Sequence, residues 1–80
     1  MTQFITYQNL SGKSGVSEYR YDDQFFRWIE IQFTDDSRYL YTDMSAGWIT
    51  VLHLIDLANK GVGLNRFINA EDPDYIDKTR

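Results

Sequence analysis

The sequence predicts an α+β domain: a small antiparallel β-meander of three to four strands, packed on one face by a single amphipathic helix. Apolar and polar residues alternate through much of the first half of the chain, which is typical of half-buried strands. Short turns separate these segments, and short turns favour antiparallel neighbours. From residue 48 the apolar residues recur at the helical period. A helix and a sheet of this kind bury their apolar faces against each other.

The ends of the chain are predicted to differ from its middle. Residues 1–15 contain a strand-like segment at 4–7 and a glycine- and serine-rich turn at 11–15. The segment either pairs at an edge of the sheet or stays apart from it. We take residues 16–70 as the domain and residues 71–80 as a charged C-terminal tail. A tail of this length is too short for a stable helix unless it packs, so we expect it to fray.

The hairpin after the strand at 28–33 decides which side chains face the core. Its turn is rich in aspartate, which caps its own turn and tolerates the left-handed conformation. We expect a type I turn with a bulge, in which Asp36 is left-handed. A slip of one residue would reverse every side chain, and only this register collects one apolar face. The predicted pairs are Tyr39 with Ile31 and Tyr41 with Ile29.

The predicted helix begins near Ser45 and ends at Gly61. Serine is a favoured N-cap residue, and glycine supplies the left-handed stop at a helix end. One arc of the helix is apolar, and His53 lies on the opposite, polar side. The residues predicted to face the sheet are Trp48, Val51, Leu52, Leu54, Ile55 and Ala58.

Length and composition limit the functions that the chain can have. Eighty residues allow one domain, and without cysteine its cohesion depends on aromatic residues, 16% of the chain. The start of the chain lacks the basic and apolar regions of a signal peptide. No run reaches the roughly 18 apolar residues of a membrane span. We therefore expect a cytoplasmic protein that uses no membrane, metal or cofactor. No particular oligomeric state is predicted.

No catalytic group is predicted. A nucleophilic mechanism needs a serine or cysteine with a base in reach, and the one histidine, His53, falls on the solvent side of the helix. The aspartate pairs at 22–23 and 35–36 fall in turns, where aspartate is favoured for local backbone reasons. They are not accompanied by the glycine-containing pattern of a calcium loop. We expect a non-catalytic domain.

Four short motifs occur along residues 16–69 in a recognisable order. They are Tyr21-Asp22, then I-x-I-x-F followed by Tyr39-Leu40-Tyr41, then Ala58-Asn59-Lys60-Gly61, and finally Leu64-Asn65-Arg66-Phe67-Ile68. Together they resemble the KTSC domain, a small bacterial module found at the C-terminus of some lysyl-tRNA synthetases and as a free-standing protein. The synthetase context of that family implies RNA binding.

Two function classes remain open. The sheet face away from the helix is predicted to carry Trp28 and Leu40 among charges of both signs, a composition that suits a protein contact. RNA binding would use cations near Gly61 and Gly63, where backbone N–H groups can be directed at a phosphate. A net charge of −4 opposes nucleic acid, so we favour an interaction or regulatory module with an unknown protein partner. The residues predicted for RNA binding are Lys60, Asn65, Arg66 and Arg38.

Overall fold

A computed structural model describes residues 2–79, and over that range the chain forms a five-stranded antiparallel sheet and three helices. The elements are β1 (Ile5–Thr6), β2 (Val16–Tyr21), β3 (Trp28–Phe33), β4 (Arg38–Thr42), α1 (Asp43–Ala46), α2 (Trp48–Lys60), α3 (Leu64–Glu71) and β5 (Asp77–Thr79). The strands lie in the sheet in chain order, and each is antiparallel to its neighbours. The predicted α+β class and meander are confirmed, with more strands and helices than predicted.

The hairpin between β3 and β4 has the predicted register, in which each tyrosine of β4 lies opposite an isoleucine of β3. Asp36 is left-handed, with φ of 70°. The backbone N–H of Asp36 donates to the carbonyl of Phe33 at 3.0 Å, and the N–H of Phe33 donates to the carbonyl of Ser37 at 2.9 Å. Tyr41 is consequently buried in the core.

The core lies between the sheet and α2. Its side chains are almost wholly removed from water, and burying a residue the size of Leu or Ile contributes about 1.5–3 kcal/mol. Tyr19 places its ring in this core, and its hydroxyl donates to Oδ1 of Asn59 on α2 at 2.8 Å. The buried apolar residues are Tyr7, Val16, Tyr19, Ile29, Ile31, Tyr41, Val51, Leu54, Ile55, Ala58 and Leu64.

The buried arc of α2 is rotated from the predicted one. Trp48 and Leu52 were predicted to face the sheet, and they are 63% and 40% exposed. Leu57, predicted outside the arc, is half-buried against the core. The cause is α3, whose Phe67 ring lies 4.4 Å from the ring of His53 on the same flank of α2. Because α3 adds apolar surface on that flank, the buried arc shifts towards it.

The N-terminal segment and the tail each contribute a strand to the sheet, β1 beside β2 and β5 beside β4. The expectation of a frayed tail over 71–80 is therefore wrong for its described part. The N–H of Ile76 donates to the carbonyl of Leu40 at 2.8 Å. The ring of Tyr75 lies perpendicular to that of Tyr39, with 4.8 Å between centroids. This aromatic contact supplies the packing that the tail lacks when considered alone.

The passage from β4 into the helices corrects the predicted N-cap. Ser45 belongs to a capping box of α1, the short helix that precedes the long one. Oγ1 of Thr42 accepts from the N–H of Ser45 at 3.1 Å, and Oγ of Ser45 accepts from the N–H of Thr42 at 3.0 Å. The long helix α2 starts after Gly47 and ends at Gly61, whose φ of 76° confirms the predicted left-handed stop.

Candidate interaction surfaces

The sheet face away from the helices, here called the open face, carries the predicted protein-contact residues. Trp28 and Leu40 are half-buried on this face. They line a shallow depression of about 310 Å³ together with Arg20, Glu30 and Thr42. Nε of Arg20 lies 2.7 Å from Oε1 of Glu30, so the charges beside the depression neutralise each other. The open face therefore has a small apolar area with little net field.

A ring from the N-terminal segment covers part of the open face. The centroid of the Phe4 ring lies 4.6 Å from the guanidinium carbon of Arg20 and 4.9 Å from that of Arg38. Cation–π contacts of this kind contribute about 0.5–1 kcal/mol at exposed sites. Nε of Arg38 also donates to Oε1 of Gln32 at 2.8 Å. Arg38 is thus held on the open face, and the sheet separates it from Arg66 on α3.

The other predicted RNA-binding residues lie on the helical side of the molecule. Nζ of Lys60 lies 3.0 Å from Oδ2 of Asp56, one helical turn away. Asn65 and Arg66 line a cleft of about 640 Å³, and Lys13 lines the same cleft. The sequence reasoning missed Lys13, because it treated the glycine- and serine-rich turn only as a flexible connection. The sequence does contain an indication of this position, because the small glycine and serine residues beside Lys13 allow the backbone to approach a helix end closely.

The segment that carries Lys13 is fixed against the helices. The N–H of Leu10 donates to the carbonyl of Gly61 at 2.8 Å. At the floor of the cleft the hydroxyl of Tyr7 accepts from the N–H of Leu64, the first residue of α3, at 3.4 Å. These bonds keep Lys13 and Arg66 on one cleft, which gives this side of an acidic protein a local positive charge.

One end of the molecule exposes six large apolar side chains, here called the apolar end. Met44, Phe25 and Ile49 are 90%, 70% and 66% exposed. On α2, Leu52 adjoins both Trp48 and Ile49, because residues three and four apart are neighbours on a helix surface. Large contiguous patches of exposed apolar side chains mark contact sites. The members are Phe25, Phe26, Met44, Trp48, Ile49 and Leu52.

The loop between β2 and β3 is fixed by Asp22. Its carboxylate accepts from the N–H groups of Phe25 and Gln24 at 3.1 Å and of Arg27 at 3.2 Å. These hydrogen bonds stabilise the charged carboxylate and lower the pKa of Asp22, and the bond from Phe25 has the largest effect. The carbonyl of Arg27 accepts from the N–H of Asp43 at 2.8 Å, which joins the loop to α1. The two parts of the apolar end are therefore held together by backbone bonds.

Phe26 has an uncommon backbone conformation. Its φ is 56°, in the left-handed region that a bulky residue seldom adopts. Conformations of this kind cost on the order of 1–3 kcal/mol and cluster at functional sites. The ring of Phe26 stacks on that of Tyr21, with 6.5 Å between centroids. The strained position directs this ring to the surface at the apolar end, where it stays 42% exposed.

The charged residues next to the apolar end are mainly acidic. Asp22, Asp23 and Asp43 lie in the loop and at the start of α1. The guanidinium carbon of Arg27 lies 5.7 Å from the centroid of Phe25, so this cation is engaged with a ring. The border of the apolar end is consequently negative, in keeping with the net charge of −4.

The sequence reasoning missed the apolar end as a surface. It assigned Trp48 and Leu52 to the core, because a helical period alone does not separate a core residue from an exposed apolar one. Two signals were available. Phe25 and Phe26 are adjacent in a turn between strands, and Ile49 lies outside the predicted arc.

Among residues 2–79, none of the helices has the length and apolar character that a membrane span requires. Within the same range no three His, Cys, Asp or Glu side chains are grouped so as to hold a metal ion.

No family model, no curated protein and no solved structure matches the chain.

Proposed function

We propose that this chain is a non-catalytic interaction module that binds a protein partner through the apolar end. The observation that supports the proposal is the exposure of Met44, Phe25 and Ile49 beside Trp48. Aromatic residues and methionine are enriched in the centres of protein interfaces, and tryptophan is among the commonest hot-spot residues. The strained conformation of Phe26 supports the same surface, since it keeps an apolar ring accessible.

The partner that fits this surface is apolar at its centre and basic at its rim. Asp22, Asp23 and Asp43 border the apolar end, and complementary charge steers association and selects partners. A second copy of the chain fits less well. In a two-fold interface the same patch meets itself, so the acidic borders would face each other in two proteins of net charge −4.

The apolar end takes the place of the open face in this proposal. Trp28 and Leu40 are half-buried, and Phe4 covers part of the same face. They offer less apolar surface than Met44 and Ile49 do. The resemblance to KTSC domains stays a prediction, and it is compatible with either surface.

Titration with synthetic helical peptides tests the proposal. Two peptides share one leucine face, and their remaining positions are lysine in one and glutamate in the other. We expect the lysine peptide to bind and the glutamate peptide to bind roughly ten-fold more weakly, or about 1.4 kcal/mol. Ile49→Ser should weaken binding of the lysine peptide roughly five-fold or more, as at an interface hot spot.

Leu10→Ser is the matched control, because Leu10 is 68% exposed against 66% for Ile49. Its N–H donates to the carbonyl of Gly61, at the other end of α2 from Ile49. Leu10→Ser should leave the affinity unchanged. Equal binding of both peptides would reject the basic partner. Equal effects of the two serine variants would reject the apolar end as the docking surface.

A second candidate function is RNA binding at the cleft lined by Lys13, Asn65 and Arg66. The observation that favours it is the presence of two cations and an amide on one cleft. The affinity of a protein for RNA and the salt dependence of that affinity both grow with the number of phosphates that its cations neutralise. Two cations can neutralise only a few. RNA binding through this cleft would therefore be weak, in a molecule whose overall field repels phosphate.

A further inference from the structure

A second cleft lies at the opposite end of β3 from the apolar end, between the β3–β4 turn, α3 and the tail. Its volume is about 480 Å³, within the range of small-molecule sites. Three tyrosines and a carboxylate define what we call the tyrosine cleft. They are Tyr39, Tyr41, Tyr75 and Asp72.

The rings of the tyrosine cleft form a corner. Tyr39 and Tyr41 lie side by side on β4, with an interplanar angle of 14° and 6.4 Å between centroids. The ring of Tyr75 is perpendicular to both, at 90° to Tyr39 and 87° to Tyr41. Tyr41 is buried in the core, so the rings open to a ligand are those of Tyr39, which is half-buried on β4, and Tyr75, which is 47% exposed on the tail. Aromatic surfaces at right angles can contact one rounded group from two sides.

The polar lining of the cleft is acidic. Asp72 lies at the end of α3, and Asp35 lies in the turn opposite. Burial raises the pKa of Tyr41, and the neighbouring Tyr39 and Asp72 raise it further. Its hydroxyl therefore remains neutral at physiological pH. A ligand in this cleft meets ring surfaces and negative charge.

The chain itself already places a cation against this group of rings. Nζ of Lys78 lies 5.0 Å from the centroid of Tyr39. A hydrogen bond with Tyr39 and the charges of Tyr39, Tyr75 and Asp35 raise the pKa of Lys78. The lysine is exposed on a strand of three residues, so it can move aside for a competing cation.

We propose that the tyrosine cleft binds a methylated ammonium group. Such a group is a weakly hydrated cation with an apolar surface, so its methyl groups can contact the ring faces while Asp72 balances its charge. Aromatic cages recognise quaternary ammonium by this combination of ring quadrupole and low desolvation cost. An anion would meet Asp72 and Asp35, and a neutral apolar ligand would forgo the cation–π contacts. The group can belong to a free molecule such as choline or to a methylated lysine side chain.

The test compares choline with its neutral isostere, in which a tert-butyl group replaces the trimethylammonium group. Binding is followed by NMR shifts of the Asn65 and Asn69 side-chain amides, which line the cleft. We expect choline to bind roughly ten-fold more tightly, which is within the range of desolvated cation–π contacts. Equal affinities would overturn the proposal, because they would show a simple apolar cleft.

Variants of the cleft separate the contributions of ring and charge. Tyr75→Phe should retain choline binding, and Tyr75→Leu should lose most of it. Asp72→Asn should weaken it several-fold with the fold intact, because asparagine also tolerates the left-handed conformation found at Asp72. Lys78→Gln should tighten it by removing the internal competitor. Unchanged affinity in Asp72→Asn, or in a Tyr75→Leu protein whose circular dichroism is native, would contradict the proposal.

A peptide that carries trimethyl-lysine distinguishes the two sources of the ligand. Tighter binding of this peptide than of choline assigns the cleft to a modified side chain, and the reverse assigns it to a free molecule. The same peptide with unmodified lysine should bind several-fold more weakly than the trimethylated one. If the unmodified peptide binds as well, methylation is not recognised and the proposal is wrong.

Discussion

Replacing Leu54 with alanine tests the rotated burial of α2. Leu54 is fully buried, whereas Leu52 on the same helix is 40% exposed. The substitution removes three carbons, worth about 2.4 kcal/mol at about 0.8 kcal/mol per carbon. At Leu54 it also leaves a cavity, and buried Leu→Ala changes cost about 2.7–5 kcal/mol in total. At Leu52 water fills the space, so the cost should be about 1 kcal/mol.

The free energies of unfolding can be measured by urea titration, followed by far-ultraviolet circular dichroism. A loss of about 3 kcal/mol in Leu54→Ala should also lower Tm by roughly 12–24 °C in a domain of this size. The urea m-value should stay constant in both variants, because the surface exposed on unfolding hardly changes. Equal losses in the two variants, or a larger loss in Leu52→Ala, would show that Leu52 faces the sheet and would refute the rotated arc.

Three further predictions concern other parts of the chain. Urea titration should show a larger loss of folding stability in Gly61→Ala than in Gly12→Ala. Both glycines are left-handed, but a Cβ on Gly61 would lie 2.6 Å from the Cβ of Gln8, whereas a Cβ on Gly12 would meet nothing within 4 Å. The free energy of unfolding should fall as pH rises above about 10. Above that pH the unfolded chain loses the proton of Tyr41, whereas the folded chain keeps it because burial raises the pKa of this tyrosine. Urea titrations at several pH values should show a smaller fall in Tyr41→Phe. Fluorescence anisotropy should detect no generic RNA binding at physiological salt, and Lys13→Glu with Arg66→Glu should abolish any binding at low salt.

The hairpin register could be predicted from sequence because its determinants are local. The turn residues restrict the loop type, and the alternation of isoleucine, phenylalanine and tyrosine allows one register with a single apolar face. Asp36 takes the left-handed conformation that this register requires. A strong local preference and the burial pattern agree here, and agreement of this kind makes a prediction reliable.

The ends of the sheet and the last helix could not be predicted in the same way. β5 has three residues, all exposed, and its sequence has no alternation of apolar and polar residues. It forms because Tyr75 packs on Tyr39, which lies 36 residues earlier in the chain. α3 has eight residues, which is marginal for a helix alone. It is secured by Leu64, whose burial depends on the sheet and on Tyr7.

The candidate surfaces could not be predicted from the sequence for a related reason. Sequence periodicity assigns an apolar helical residue to the core unless another element is known to occupy that space. α3 occupies the flank of α2 near Leu57, which leaves Trp48 and Leu52 at the surface. The predicted cation site failed to assemble around Arg38 because β4 directs that side chain to the face opposite the helices. Both outcomes depend on contacts between elements that are distant in sequence.

The positions of the two proposed sites make their tests independent. β3 begins with Trp28 at the apolar end and finishes with Phe33 at the tyrosine cleft, a span of roughly 17 Å at about 3.4 Å per residue. Energies of substitutions this far apart usually add, unless the sites share partners. Ile49→Ser should therefore leave choline affinity unchanged, and Asp72→Asn should leave affinity for the lysine peptide unchanged. If either variant weakens the binding of both ligands, it acts through the stability of the whole domain. Its effect on one ligand is then no evidence for the site proposed for that ligand.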